Sequence, residues 1–128
     1  MLLDTHVLVW AMLVPDRLSP RAHDALAGST ERVVSAASLY EIAYKGRSGK
    51  WPEVAGLLHV DLDARLRADG FEVASATGPI MERAGRFDWI HRDPFDRLIV
   101  ATAQVRRLAL VSKDETLDGA PDGIERVW

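Results

Sequence analysis

Apolar residues along the chain come in short bursts separated by polar, proline or glycine punctuation, and each burst has the length of one structural element. Met1 to Leu3 is a brief apolar run that stops at Asp4 and predicts a short first strand. His6 to Leu13 is apolar and of helical length, ending before Pro15. Ser19-Pro20 supplies an N-cap and a proline at the first helical position for a helix over Arg21 to Ala27. Arg32 to Ser35, with β-branched Val33 and Val34, predicts a buried strand, and Ala36 to Lys45 a helix closed by Gly46. Pro52 to Leu58 and Asp61 to Asp69 predict two short helices, the second followed by Gly70 where a left-handed residue commonly ends a helix. Phe71 to Ala74 alternates as a strand does. Pro79 to Phe87 predicts a helix, and Asp93-Pro94 opens a stronger one to about Arg107, with Phe95, Leu98, Ile99, Thr102 and Val105 along one stripe. Leu108 to Ser112 predicts a strand, Asp114 to Leu117 a turn or a single helical turn, and Ile124 to Trp128 a last strand.

Strands that alternate with helices predict an α/β fold whose parallel sheet is covered on both faces, with ligands beyond the carboxyl ends of its strands. At 128 residues, 48% hydrophobic and 27% charged, the chain is expected to be one globular domain, 1–128. It has no cysteine, which excludes disulfides, thiolate metal sites and cysteine nucleophiles. The longest apolar run, Val7 to Val14, is far short of the roughly 20 residues a membrane span needs, and no basic stretch precedes an apolar core at the N-terminus. A cytoplasmic protein with no membrane partner is expected. That run is apolar around its whole circumference, so it must be buried in the core or against a partner. The formal charge of −3 counts against binding nucleic acid through bulk positive charge.

The placement of the acids changes that picture. Asp4 follows the first strand, Glu41 lies on the helix after the second, Asp96 is in the first turn of the helix opened by Pro94, and Asp114 follows the strand ending at Ser112. All four fall where α/β proteins build their sites. Carboxylates gathered in one cleft raise each other's pKa, and a divalent cation relieves the repulsion; oxygen ligands favour Mg²⁺ or Mn²⁺. The four histidines, His6, His23, His59 and His91, are scattered without zinc-site spacing. Each acid also has a structural explanation. Ser38 with Glu41 matches a capping box, Glu41 with Lys45 is an i,i+4 pair, Asp93 and Asp96 suit a helix N-terminus, Asp4 suits the start of a helix and Asp114 a solvated turn.

The segments Leu2-Leu3-Asp4-Thr5-His6, Ser35 to Lys45, His91-Arg92-Asp93-Pro94-Phe95-Asp96-Arg97 to Ala103, and Leu110-Val111-Ser112-Lys113-Asp114 resemble the signature blocks of PIN-domain proteins, and more narrowly the VapC-type toxins of bacterial toxin–antitoxin pairs. The resemblance implies a three-layer fold with a five-stranded parallel sheet in the order 3-2-1-4-5 flanked by helices. It implies an endoribonuclease dependent on one or two Mg²⁺ (or Mn²⁺) ions, with Asp4, Glu41, Asp96 and Asp114 as metal-binding and catalytic carboxylates. Thr5 stands beside the first of them and is expected to assist through its hydroxyl. Asp93 is expected to be an N-cap and Asp118 a surface acid. Ser112 stands where many relatives carry threonine, and either hydroxyl serves.

Hydrolysis through such a site uses water as the nucleophile and leaves 3′-OH and 5′-phosphate ends. Lys45, Arg92 and Arg97 are candidates to hold phosphates, and Lys45 or Arg97 is alternatively expected to pair with the acids; Arg47 and Lys50 read as surface charges, Trp10 and Trp51 as core or interface. The resemblance also implies a VapB-type antitoxin as partner, and a homodimer or toxin–antitoxin hetero-oligomer. With two divalent ions bound, the formal balance of −3 becomes about +1, so the acidic charge describes the metal-free chain. Two other readings share some of these features. A phospho-receiver module needs an acid pair after its first strand and an acid after its third, whereas Asp4 stands alone and Ala76-Thr77 follow Ser75. A non-catalytic PIN-like binding module would not need all four acids.

Overall fold

The central strand, β1 (Leu2–Leu3), is only two residues long, yet both its side chains are wholly buried. It lies between β2 (Arg32–Ser35) and β4 (Leu110–Val111), with β3 (Phe71–Ala74) and β5 (Arg126–Val127) outside them. The computed structural model describes residues 1–128. All neighbours are parallel, in the order β3-β2-β1-β4-β5. Leu2 stands opposite Val33 and Leu110, and Leu3 opposite Val34 and Val111. Successive strand residues point to opposite faces, so the sheet divides the core in two. Leu2, Val33 and Leu110 join Ile99 and Val100 on one side; Leu3, Val34 and Val111 join Val7, Leu8, Ile42 and Leu66 on the other. Burial on both faces explains why these strands read as continuous apolar runs.

The helices are α1 (Thr5–Leu13), α2 (Pro20–Gly28), α3 (Ala36–Arg47), α4 (Leu62–Ala68), α5 (Gly78–Arg86) and α6 (Pro94–Arg106). Ser19, Asp61 and Asp93 cap α2, α4 and α6 by accepting from backbone N–H groups. Gly70, after α4, takes the left-handed φ of 81° that its position predicted. No helix is long and apolar enough to cross a membrane.

Three details depart from the sequence reading. First, α3 runs through Gly46 to Arg47. Gly46 is there for close approach: a Cβ would lie 3.0 Å from Val54 Cγ2, on the 3₁₀ segment Pro52–His59. Second, the cap of α3 is Ser35, which accepts from Ala37 N–H at 3.2 Å, so Ser38 lies inside the helix and the capping box is not formed. Glu41 is thereby released from any capping duty. Third, α1 is buried through Thr5, Val7, Leu8 and Val9, while Leu13 and Val14 at its end are exposed.

Candidate active site

Asp4 and Asp114 emerge from neighbouring strands at the same edge of the sheet. Asp4 caps α1, its Oδ1 accepting from Val7 N–H at 2.9 Å. Its other oxygen accepts from the hydroxyl of Ser112, whose Oγ in turn accepts from Asp114 N–H at 3.1 Å. One wholly buried hydroxyl thus ties the two acids together. Glu41, also buried, projects from α3 and accepts from Lys45 one turn on. Asp96 sits in the first turn of α6, where Asp93 accepts from the N–H groups of Phe95 and Asp96.

The surroundings set the charge state of each group. Burial, then the charges of Asp93, Glu41, Asp4 and Asp114, push Asp96 up to about 7. Burial raises Asp4 as well, against the opposing bonds from Ser112 and Val7. Asp114 is also partly desolvated, but bonds from the Thr116 hydroxyl and N–H, with help from His91 and Arg126, hold it below the usual carboxylate range. Lys45 is desolvated too, yet Glu41 outweighs that and holds its ammonium above the ordinary value.

A fifth residue joins them. His91 Nε2 lies 3.4 Å from Asp96 Oδ2 and 3.9 Å from Asp114 Oδ2. Ligand atoms of His91, Asp96 and Asp114 all fall within 4.8 Å of one another, and His91 Nδ1 is buried without a hydrogen-bond partner. Hard carboxylate oxygens that repel one another, with one imidazole beside them, fit a divalent cation. An open cleft of about 460 Å³, lined by Asp4, His6, Trp10, Lys113, Asp114 and Thr116, reaches this edge from solvent.

A sequence model of the PIN domain matches residues 1–122. The chain belongs to the PIN-domain family. It is 31% identical over 118 residues to Ribonuclease VapC22 of Mycobacterium tuberculosis, covering 91% of this chain and 88% of that protein. Among solved structures it resembles a chain of VapBC2 from Rickettsia felis bound to a promoter DNA fragment, with a TM-score of 0.70 at 19% identity over 99% of this chain and 98% of that one. It also resembles a chain of DNA-bound VapBC from Salmonella typhimurium, with a TM-score of 0.67 at 18% identity over 98% and 94%. At those identities the likeness concerns the fold, and the observed strand order is the one the resemblance implied.

Within this PIN domain, Asp4, Asp96 and Asp114 converge, with Glu41 near enough to raise Asp96. Lys45 pairs with Glu41, one of its two expected roles. Two expectations are corrected. Thr5 is engaged elsewhere: its hydroxyl donates to Ser38 Oγ at 3.0 Å inside the core, tying α1 to α3. Arg97 neither pairs with the acids nor is free for phosphate, because its guanidinium donates to the backbone carbonyls of Ala84, Phe87, Trp89 and His91. It clamps the irregular segment that carries His91. Asp118 pairs with Arg126 at the surface, and Trp51 is buried, as expected. His91 was missed because its spacing to other histidines carries no signal; its partners are acids from two separate elements. The adjoining Arg92-Asp93-Pro94 block was the available clue.

Proposed function

We propose that this PIN domain is the ribonuclease toxin of a toxin–antitoxin pair, a divalent-metal-dependent endoribonuclease. The observation that carries the reading is the convergence of Asp4, Asp96 and Asp114, with His91 between two of them, where the sheet's carboxyl edge opens to solvent. The likeness to Ribonuclease VapC22 supports ribonuclease chemistry, and the VapBC neighbours support a VapB-type antitoxin as partner. A homodimer and a cytoplasmic location belong to the same proposal. A receiver-like module is disfavoured because β3 ends in Ala74 and is followed by Ser75-Ala76-Thr77, with no acid to phosphorylate.

Asp4, Asp96, Asp114 and His91 would hold Mg²⁺ or Mn²⁺, and Glu41 would bind directly or through water. The chemistry supplied there would be activation of water and stabilisation of charge on the attacked phosphate and the leaving oxygen. The chain's own residues prepare this. Ser112 fixes the Asp4 carboxylate and the Asp114 backbone together. Asp93 holds the first turn of α6 so that Asp96 faces the other acids. Lys45 gives the buried Glu41 carboxylate its ion-pair partner. Asp96, raised to about 7, would have to lose its proton to serve as a ligand. RNA hydrolysis here leaves 3′-OH and 5′-phosphate ends, with no part for the 2′-OH.

The purified protein is expected to cut RNA in Mg²⁺ or Mn²⁺ and to stop in a chelator. Asp4→Asn and Asp96→Asn are expected to lose that cleavage. If either variant cuts RNA as fast as the parent, the assignment of the site is wrong.

A further inference from the structure

Beside the carboxylates, α3 presents two tyrosines to solvent, Tyr40 with 63% and Tyr44 with 48% of its surface exposed. They lie four residues apart on one helix face, their rings 6.0 Å apart between centroids and within 4° of parallel. Phe95, the residue before Asp96, extends the row: its ring centroid is 5.8 Å from that of Tyr40. Two lysines border it, Lys45 Nζ 5.6 Å from the Phe95 centroid and Lys50 Nζ 5.6 Å from that of Tyr44. Tyr40 precedes Glu41 in sequence, and Lys45 is that glutamate's partner, so the row begins at the rim of the acidic site.

We propose that the Tyr40–Tyr44–Phe95 row is a stacking subsite for the bases of single-stranded RNA, with Lys50 at its outer edge as a phosphate contact. The inference rests on the ribonuclease reading and adds how the strand is held. Two exposed tyrosine rings, continued by half-buried Phe95 and bordered by ammonium groups, match the two halves of a nucleotide, a π-faced base and an anionic phosphate. Cations are needed here, because the metal-free acids repel phosphate. The ammonium groups bordering the row match an anionic occupant. The row takes bases already unstacked from a partner strand, so it discriminates single strands from duplex.

The test measures binding of a fluorescein-labelled single-stranded RNA, and of the same sequence as duplex, by anisotropy in an Asp96→Asn background that leaves RNA uncut. Adding Tyr40→Ala and Tyr44→Ala is expected to weaken single-strand binding roughly 5- to 150-fold, the loss of one stacked base, and to leave duplex binding as it was. Tyr40→Phe with Tyr44→Phe retains the affinity, because the ring carries it. In the Asp96 protein the alanine pair raises KM rather than lowering kcat. Each single variant is measured too, and thermal melting checks that all are folded. Unchanged single-strand affinity, or equal losses for duplex and single strand, overturns the proposal. So does a change in sedimentation mass without a change in RNA affinity, which would make the row a protein interface. A parent that neither binds nor cuts RNA removes the ribonuclease reading itself; a parent that cuts RNA with variants that bind as it does removes only the subsite.

Discussion

Arg97→Met tests whether one side chain holds the segment that brings His91 to the acids. The guanidinium donates to Ala84 O at 3.0 Å, Trp89 O at 3.3 Å, His91 O at 2.9 Å, and also to Phe87 O. These are partly buried carbonyls of the end of α5 and of the irregular stretch that follows it. A hydrogen bond with one charged partner contributes about 1.5–3 kcal/mol net, and a carbonyl left unpaired costs about 1–3 kcal/mol. Partial rehydration lessens the loss, so the variant is expected to be destabilised by about 3–5 kcal/mol. For a domain of this size that is roughly 10–20 °C in Tm. Arg97→Lys recovers little, because one ammonium cannot fork across four carbonyls. Equilibrium urea unfolding gives the free energies, and isothermal titration with Mn²⁺ on the still-folded variant at low temperature reads the second consequence, weaker binding as His91 loosens. A loss below about 1 kcal/mol in Arg97→Met would refute the clamp, since it would mean that water satisfies those carbonyls as well as the guanidinium does.

The remaining predictions concern the acids. Asp96 has a raised pKa, so its contribution to stability is present at low pH and is lost as pH rises through about 7. The metal-free protein is therefore expected to lose about 2 kcal/mol between roughly pH 5 and pH 8 relative to Asp96→Asn, read by urea midpoints across pH. Equal pH profiles for the two proteins would place Asp96 in an ordinary environment. Divalent binding runs the other way, since the cation must displace that proton: Mn²⁺ affinity is expected to be about tenfold weaker at pH 6 than at pH 8 in calorimetry, with proton release. A pH-independent affinity would remove Asp96 from the ligand set. Ser112→Ala strips the hydroxyl shared by Asp4 and Asp114, at an expected cost of about 1–3 kcal/mol in urea unfolding and with a fall in RNA cleavage. Parental cleavage in that variant would show that the acids need no such tie.

The sequence by itself determined the alternation of elements, the starts of α2 and α6 and the four acids. Those signals are local: Ser19-Pro20 and Asp93-Pro94 start helices through their own side chains and fixed φ, and Val33-Val34 read as a buried strand without reference to any partner. Placing acids at strand ends followed from the rule that parallel sheets build sites at their carboxyl edges. The tertiary structure decided what each polar side chain touches. Ser35 rather than Ser38 caps α3, because Ser38 is spent on Thr5 from another helix. Gly46 lies inside α3 because another segment crowds it, which no local propensity reports. Arg97 is a clamp because four carbonyls from a segment before it fold around its guanidinium, and His91 reaches the acids because that clamp holds it there. Local patterns write themselves within a few residues of chain; hydrogen-bond partners and charge clusters are made by residues far apart in sequence, and only the packed sheet brings Asp4 to Ser112.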